Sequence, residues 1–172
     1  MSVYIAHAAG VLTHVIGAML AIAIGPFQFL PTSINRRYRK LHRWLGKTYM
    51  VGVLLGGLGG LYMSFLAYGG FPAKVGFAML AVAWLFSGYM AYRHIKDREI
   101  QLHRQWMIRN YALTFSGATL RLWLAVFGLV GVEFVESYIL VAWLCWVPNL
   151  IVSEWMISQI RDKEHSSTDF FS

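Results

Sequence analysis

Residues 72–93 read PAKVGFAMLAVAWLFSGYMAYR, and from Val75 to Leu85 they are apolar almost throughout. A helix rises about 1.5 Å per residue and a bilayer's hydrocarbon core is about 30 Å thick, so about 20 such residues make one crossing. A transmembrane β-strand would instead alternate apolar and polar side chains over about 10 positions, which this run does not do. Four more apolar blocks lie around it, giving expected transmembrane helices at 8–30, 47–68, 72–93, 106–130 and 134–158. The expected fold class is all-α: a polytopic membrane protein with five transmembrane helices in a single integral membrane domain over residues 1–172.

Composition agrees with this reading and removes others. Of the 172 residues, 58% are hydrophobic and 13% charged, which leaves no stretch for a soluble catalytic domain. The first block has no basic start and no small-residue cleavage site, and it carries His14 within it, so it is expected to be a retained helix rather than a leader. The single cysteine, Cys145, lies inside a span and excludes a disulfide framework or a cysteine metal cluster.

The basic residues are distributed by side. Arg36, Arg37, Arg39, Lys40, Arg43 and Lys47 precede the second block, Arg93, Lys96, Arg98 and Arg104 separate the third and fourth, and Arg161 and Lys163 follow the fifth. The turns between the second and third blocks and between the fourth and fifth hold only Lys74, with Glu133 and Glu136. The positive-inside rule then puts the N-terminus outside and the C-terminus in the cytoplasm, in a bacterial inner membrane. The formal charge of +7 is an orientation signal and a surface for anionic lipid, not a nucleic-acid face.

Within this frame one tripeptide recurs. Leu41-His42-Arg43 is followed by Trp44, and Leu102-His103-Arg104 by Gln105 and Trp106, each at the mouth of a span on the basic side. Two neutral imidazoles on two helices are what the axial positions of a haem iron require, with Met50 and Met107 as lesser axial candidates. The same residues also suit a plain interfacial cap, because His, Arg and Trp all favour headgroup depth. Aligning the tripeptides pairs the second and third helices with the fourth and fifth, so the expected layout is a four-helix core of two helical hairpins plus an N-terminal helix. Gly52, Gly56 and Gly60 recur every fourth residue and predict a close helix contact, or a wall against a flat ligand.

Ionisable groups inside a span cost at least about 2.5 kcal/mol each unless partnered. Arg109 and Glu154 lie at matching depth, about one turn inside their helices, and are expected to pair, with Asn110 at the same level. Towards the other side His14, Arg121 and Tyr62 share a depth and are expected to form a second polar site: a haem ligand with a propionate partner, or hydrogen-bonding groups for a quinone. His94 and His7 are expected to be solvated.

The runs His42-Arg43-Trp44-Leu45-Gly46-Lys47 and His103-Arg104-Gln105-Trp106-Met107-Ile108-Arg109, with Tyr111-Ala112-Leu113-Thr114 and Trp143-Leu144-Cys145-Trp146-Val147-Pro148-Asn149, resemble an uncharacterised bacterial family of predicted membrane proteins with a domain of unknown function. The resemblance covers nearly the whole chain and implies no activity. The His-Arg-x-Leu-Gly pattern at His42 is similar to helix starts in cytochrome b561-type electron carriers, and this shorter similarity implies histidine-ligated haem b.

No phosphate-binding loop, zincin helix or nucleophile elbow is present, and no catalytic residue is assigned. The expected function is haem-b binding and electron transfer with a quinone or a redox partner protein, as a membrane oxidoreductase or electron-transfer subunit. His42, His103 and His14 are the metal-ligand candidates, and Arg43, Arg104, Arg109, Arg121 and Tyr62 the cofactor-binding ones. The alternatives are a small-molecule transporter with its site at His14, Arg121 and Tyr62, and a structural subunit that packs by its glycine face into an oligomer or larger complex.

Overall fold

The computed structural model describes residues 7–29 and 36–169; Leu30, the expected end of the first span, and the side chains of Arg36, Arg37 and Lys163 lie outside the described residues. Helix α1 is Ala8–Ile24, continued by a 3-10 turn, Gly25–Phe29; α2 is Arg36–Ser64, α3 Gly70–Lys96, α4 Ile100–Thr114, α5 Ser116–Val130, α6 Phe134–Leu144 and α7 Val147–Asp169. Four stretches are long and apolar enough to cross a membrane: Ala8–Phe29, Gly70–Lys96, Ile100–Val130 and Phe134–Asp162. Helix α2, expected as a fifth crossing, is about 44 Å long at 1.5 Å per residue but is not among these four, its basic start and five glycines between Gly52 and Gly60 diluting its apolar content. The chain is an all-α polytopic membrane protein.

Helix ends differ from the apolar blocks. The second helix starts at Arg36 rather than Lys47, the third runs to Lys96 rather than Arg93, and the fourth starts at Ile100 rather than Trp106. Apolar counting marks what lipid covers, whereas backbone hydrogen bonding continues into water where Arg, Lys and Gln are good helix formers. Both Leu-His-Arg tripeptides therefore stand on helical turns, where the rotation of the helix fixes the direction of each imidazole.

The last two spans are each broken once. Pro148 cannot donate to the carbonyl of Leu144 and its ring crowds it, so α6 ends and α7 begins anew at Val147. At the break the Cys145 carbonyl accepts from Thr119 Oγ1 at 2.6 Å and from Asn149 Nδ2 at 3.0 Å, which satisfies backbone that lipid cannot. Asn149 Nδ2 also reaches the carbonyl of Ala112 at 3.1 Å, beside the second break at Phe115, so one side chain serves both.

Packing is set by small residues. A Cβ on Gly17 of α1 would lie 2.2 Å from the Gly56 nitrogen and 2.7 Å from the Gly52 oxygen of α2, so the two backbones touch along the glycine face. Helix α1 is therefore an integral wall docked on α2. Helix α3 lies at the centre, packed against α2, α4 and α6, while α7 covers α4 and α6 covers α5. The α2–α3 turn uses Gly69 and Gly70 at φ 86° and 76°, where a side chain would be strained. Glu133 caps α6, accepting from the amides of Val135 and Glu136 at 2.9 and 3.3 Å.

Candidate functional site

At the end carrying the basic residues, α2, α4, α7 and the 3-10 turn border an open cavity of about 930 Å3. His42 and His103 both border it, with Gln28, Arg104, Met107, Tyr111 and Ser153. The recurrent histidines are thus brought to one space from two helices. The Nδ1 of His103 lies 2.7 Å from the carbonyl of Ala91 on α3. A carbonyl only accepts, so Nδ1 carries the proton and Nε2 keeps its lone pair, the orientation that ligating histidines take from a backbone partner.

His42 is held differently. Its Nδ1 is buried with no hydrogen-bond partner. Burial first, and then the neighbouring imidazole of His103, push its pKa below the ordinary histidine range, so the ring is neutral at pH 7. A second orphan borders the same cavity: Gln28 Nε2 is buried and unpartnered. Gly46, in the His-Arg-Trp-Leu-Gly run, makes room for this amide, since a Cβ there would come 3.0 Å from Gln28 Oε1.

The arginines are distributed unequally. Arg104 borders the cavity, whereas Arg43 is exposed and does not. Arg109 pairs with Glu154, as its depth led us to expect, Nε to Oε1 at 2.5 Å and Nη2 to Oε2 at 2.8 Å, and its guanidinium lies 4.8 Å from the Trp106 ring centroid. This bidentate pair ties α4 to α7 and occupies the side chain once assigned to a cofactor. Among the described residues no group of three or more His, Cys, Asp and Glu could hold a metal ion, so two imidazoles are the donor set on offer.

Towards the opposite end His14, Arg121 and Tyr62 share a depth but each turns to a different partner. His14 Nδ1 lies 2.8 Å from the Gly56 carbonyl, reached because Gly60 has no side chain: a Cβ there would stand 2.9 Å from that nitrogen. The Tyr62 hydroxyl meets His7 Nδ1 at 2.5 Å, so His7 is not simply solvated. Arg121 Nη1 bonds the carbonyl of Gly117 on its own helix at 2.5 Å. His94, likewise, bonds Glu99 at 2.5 Å.

A family model described as Predicted membrane protein (DUF2306) matches residues 11–157. The chain belongs to this family. No curated protein and no solved structure matches it. Residues 11–157 of this DUF2306 protein take in all eight candidate side chains and both breaks.

Between the basic-end cavity and the far half of the protein lies a polar cluster that sequence inspection touches only at Asn110. Tyr49 OH donates to Asn110 Oδ1 at 2.6 Å and contacts Thr114 Oγ1 at 2.9 Å. Asn110 Nδ2 donates to the Trp84 carbonyl and to Ser87 Oγ, both at 2.8 Å, and Trp84 Nε1 donates to Thr114 Oγ1 at 2.9 Å. Tyr49 and Asn110 have no solvent exposure, and the cluster joins α2, α3 and α4. The available signal was an amide deep in a span; its partners are hydroxyls and an indole that read as ordinary apolar-helix content.

Proposed function

We propose that this protein binds haem b at its basic end and passes electrons to or from a quinone or a redox partner protein, with His42 and His103 as the residues that would hold its iron. One observation carries the reading: two imidazoles from different helices share a cavity of about 930 Å3, His103 with its tautomer set by Ala91 and His42 with a buried, unpartnered Nδ1. The volume is near the top of the range for small-molecule sites, roughly 300–1,000 Å3, as a porphyrin needs. A porphyrin supplies four donors itself, so two imidazoles complete its iron, whereas a bare metal site would need further protein ligands. Haem so held contributes reversible one-electron exchange. The protein's part would be to hold the two imidazoles, to place Arg104 at the border of the same space for a propionate, and to line it with Met107, Tyr111 and Phe29.

The distribution of Lys and Arg supports a cytoplasmic position for this end, with the N-terminus outside, in a bacterial inner membrane. Protein purified from haem-replete cells is expected to show a Soret band and a reducible α band, and His42→Ala and His103→Ala are each expected to remove them. A colourless wild-type preparation of normal helicity would sink the proposal.

A further inference from the structure

On the other side of α4 lies a second cavity, of about 280 Å3, bordered by α1, α2, α3, α5 and α6. No Lys, Arg, Asp or Glu borders it, and Phe77, Leu80, Leu113 and Leu120 give it apolar walls. Two polar groups in it are uncommitted. Ser116 is 2% exposed and its Oγ has no partner. His14 donates from Nδ1 to the Gly56 carbonyl, which leaves Nε2 as an acceptor. The other hydroxyls bordering the space on α2 and α4 are taken, Ser64 by the Leu61 carbonyl and Thr114 by its cluster.

A largely apolar space without a charged border, with one uncommitted acceptor and one unpartnered hydroxyl, fits a neutral ring that presents a hydroxyl. Its volume, at the low end of the range for small-molecule sites, suits a single substituted ring and not a porphyrin. The two cavities stand back to back: Tyr111, Ala112 and Phe115 border the larger, and Leu113, Thr114 and Ser116 the smaller.

The geometry points to this second cavity as a seat for the head group of a quinol, one ring hydroxyl donating to His14 Nε2 and the other exchanging a hydrogen bond with Ser116 Oγ. Choosing a quinol among neutral hydroxylated rings rests on the electron-transfer role proposed above; the existence of the site does not. The reduced form is the one preferred. A quinone brings only acceptors, which would set a carbonyl against the His14 lone pair, and a site built to pair a hydroxyl discriminates against an analogue lacking it.

The test is binding of duroquinol and of duroquinone to the full chain in nanodiscs, read by titration calorimetry, together with the absorption spectrum of the same sample. Duroquinol is expected to bind at least about tenfold more tightly than duroquinone, which is about 1.4 kcal/mol. Ser116→Ala and His14→Phe are expected to lose at least about tenfold, and Gly128→Val, at a position with nothing within 4 Å, to bind as the wild type does. His14 also bridges to α2, so Ser116→Ala is the decisive variant if His14→Phe fails to fold. Equal affinity for the two redox forms would overturn the assignment, as would unchanged binding in Ser116→Ala or loss of binding in Gly128→Val. A colourless sample that binds with the expected preference would remove the haem and uphold the site.

Discussion

Asn110 makes its side-chain bonds to three residues, Tyr49, Trp84 and Ser87, on two neighbouring helices. Interhelical bonds in a bilayer average roughly 0.6 kcal/mol, but a buried group left unpaired adds roughly 1–3 kcal/mol. Asn110→Leu removes three buried bonds and leaves the Tyr49 hydroxyl with Thr114 alone, and we expect it to destabilise the protein by about 2–3 kcal/mol in a reversible denaturant titration. Tyr49→Phe takes the hydroxyl donor from Asn110 Oδ1 but keeps both Nδ2 bonds, and should cost less, about 1 kcal/mol. Similar losses for the two variants would show that the amide is not the hub. Glu154→Gln leaves the Arg109 guanidinium inside its span without its carboxylate, so it should cost about 2 kcal/mol or more, comparable with Asn110→Leu.

At the level of elements, the α1–α2 contact depends on the absence of side chains. Gly17→Val would drive a Cβ into the α2 backbone, and we expect a loss of about 2 kcal/mol or more, whereas Gly128→Val on α5, with nothing within 4 Å, should be neutral. A neutral Gly17→Val would mean that the helices are further apart than described. The break before α7 has a similar dependence on one residue. Thr119→Val removes the nearer of the two donors to the Cys145 carbonyl, with Asn149 remaining, so a loss of about 1 kcal/mol is expected.

For the whole molecule, the direction of insertion follows from the basic residues and can be read in intact cells. With buried Cys145 replaced by Ala, a cysteine at Lys74 should react with an impermeant maleimide and one at Lys96 only after permeabilisation. The reverse pattern would move the His42–His103 cavity to the outer face. Height in the bilayer was legible in the sequence, because 1.5 Å per residue is the same for every helix; it placed Arg109 beside Glu154 correctly. Height alone does not make a site, since each residue also turns about 100° around its axis. His14, Arg121 and Tyr62 stand at one level and look three ways, to Gly56, Gly117 and His7. The repeated tripeptide behaves differently, for His42 and His103 each border the same cavity. Gln28 and Ser116 were invisible for the opposite reason, being common residues whose interest lies in having no partner.

The bond from His14 to the Gly56 carbonyl also bears on how the chain is assembled. Synthesis delivers α1 first, and an imidazole that enters lipid then waits without its acceptor until 42 further residues have followed. When α2 arrives, its bare glycine face both admits the ring and receives Gly17, so one encounter relieves the polar group and closes the hairpin. The α1–α2 pair is thereby the earliest unit able to complete itself, and the later helices come to a partner already formed.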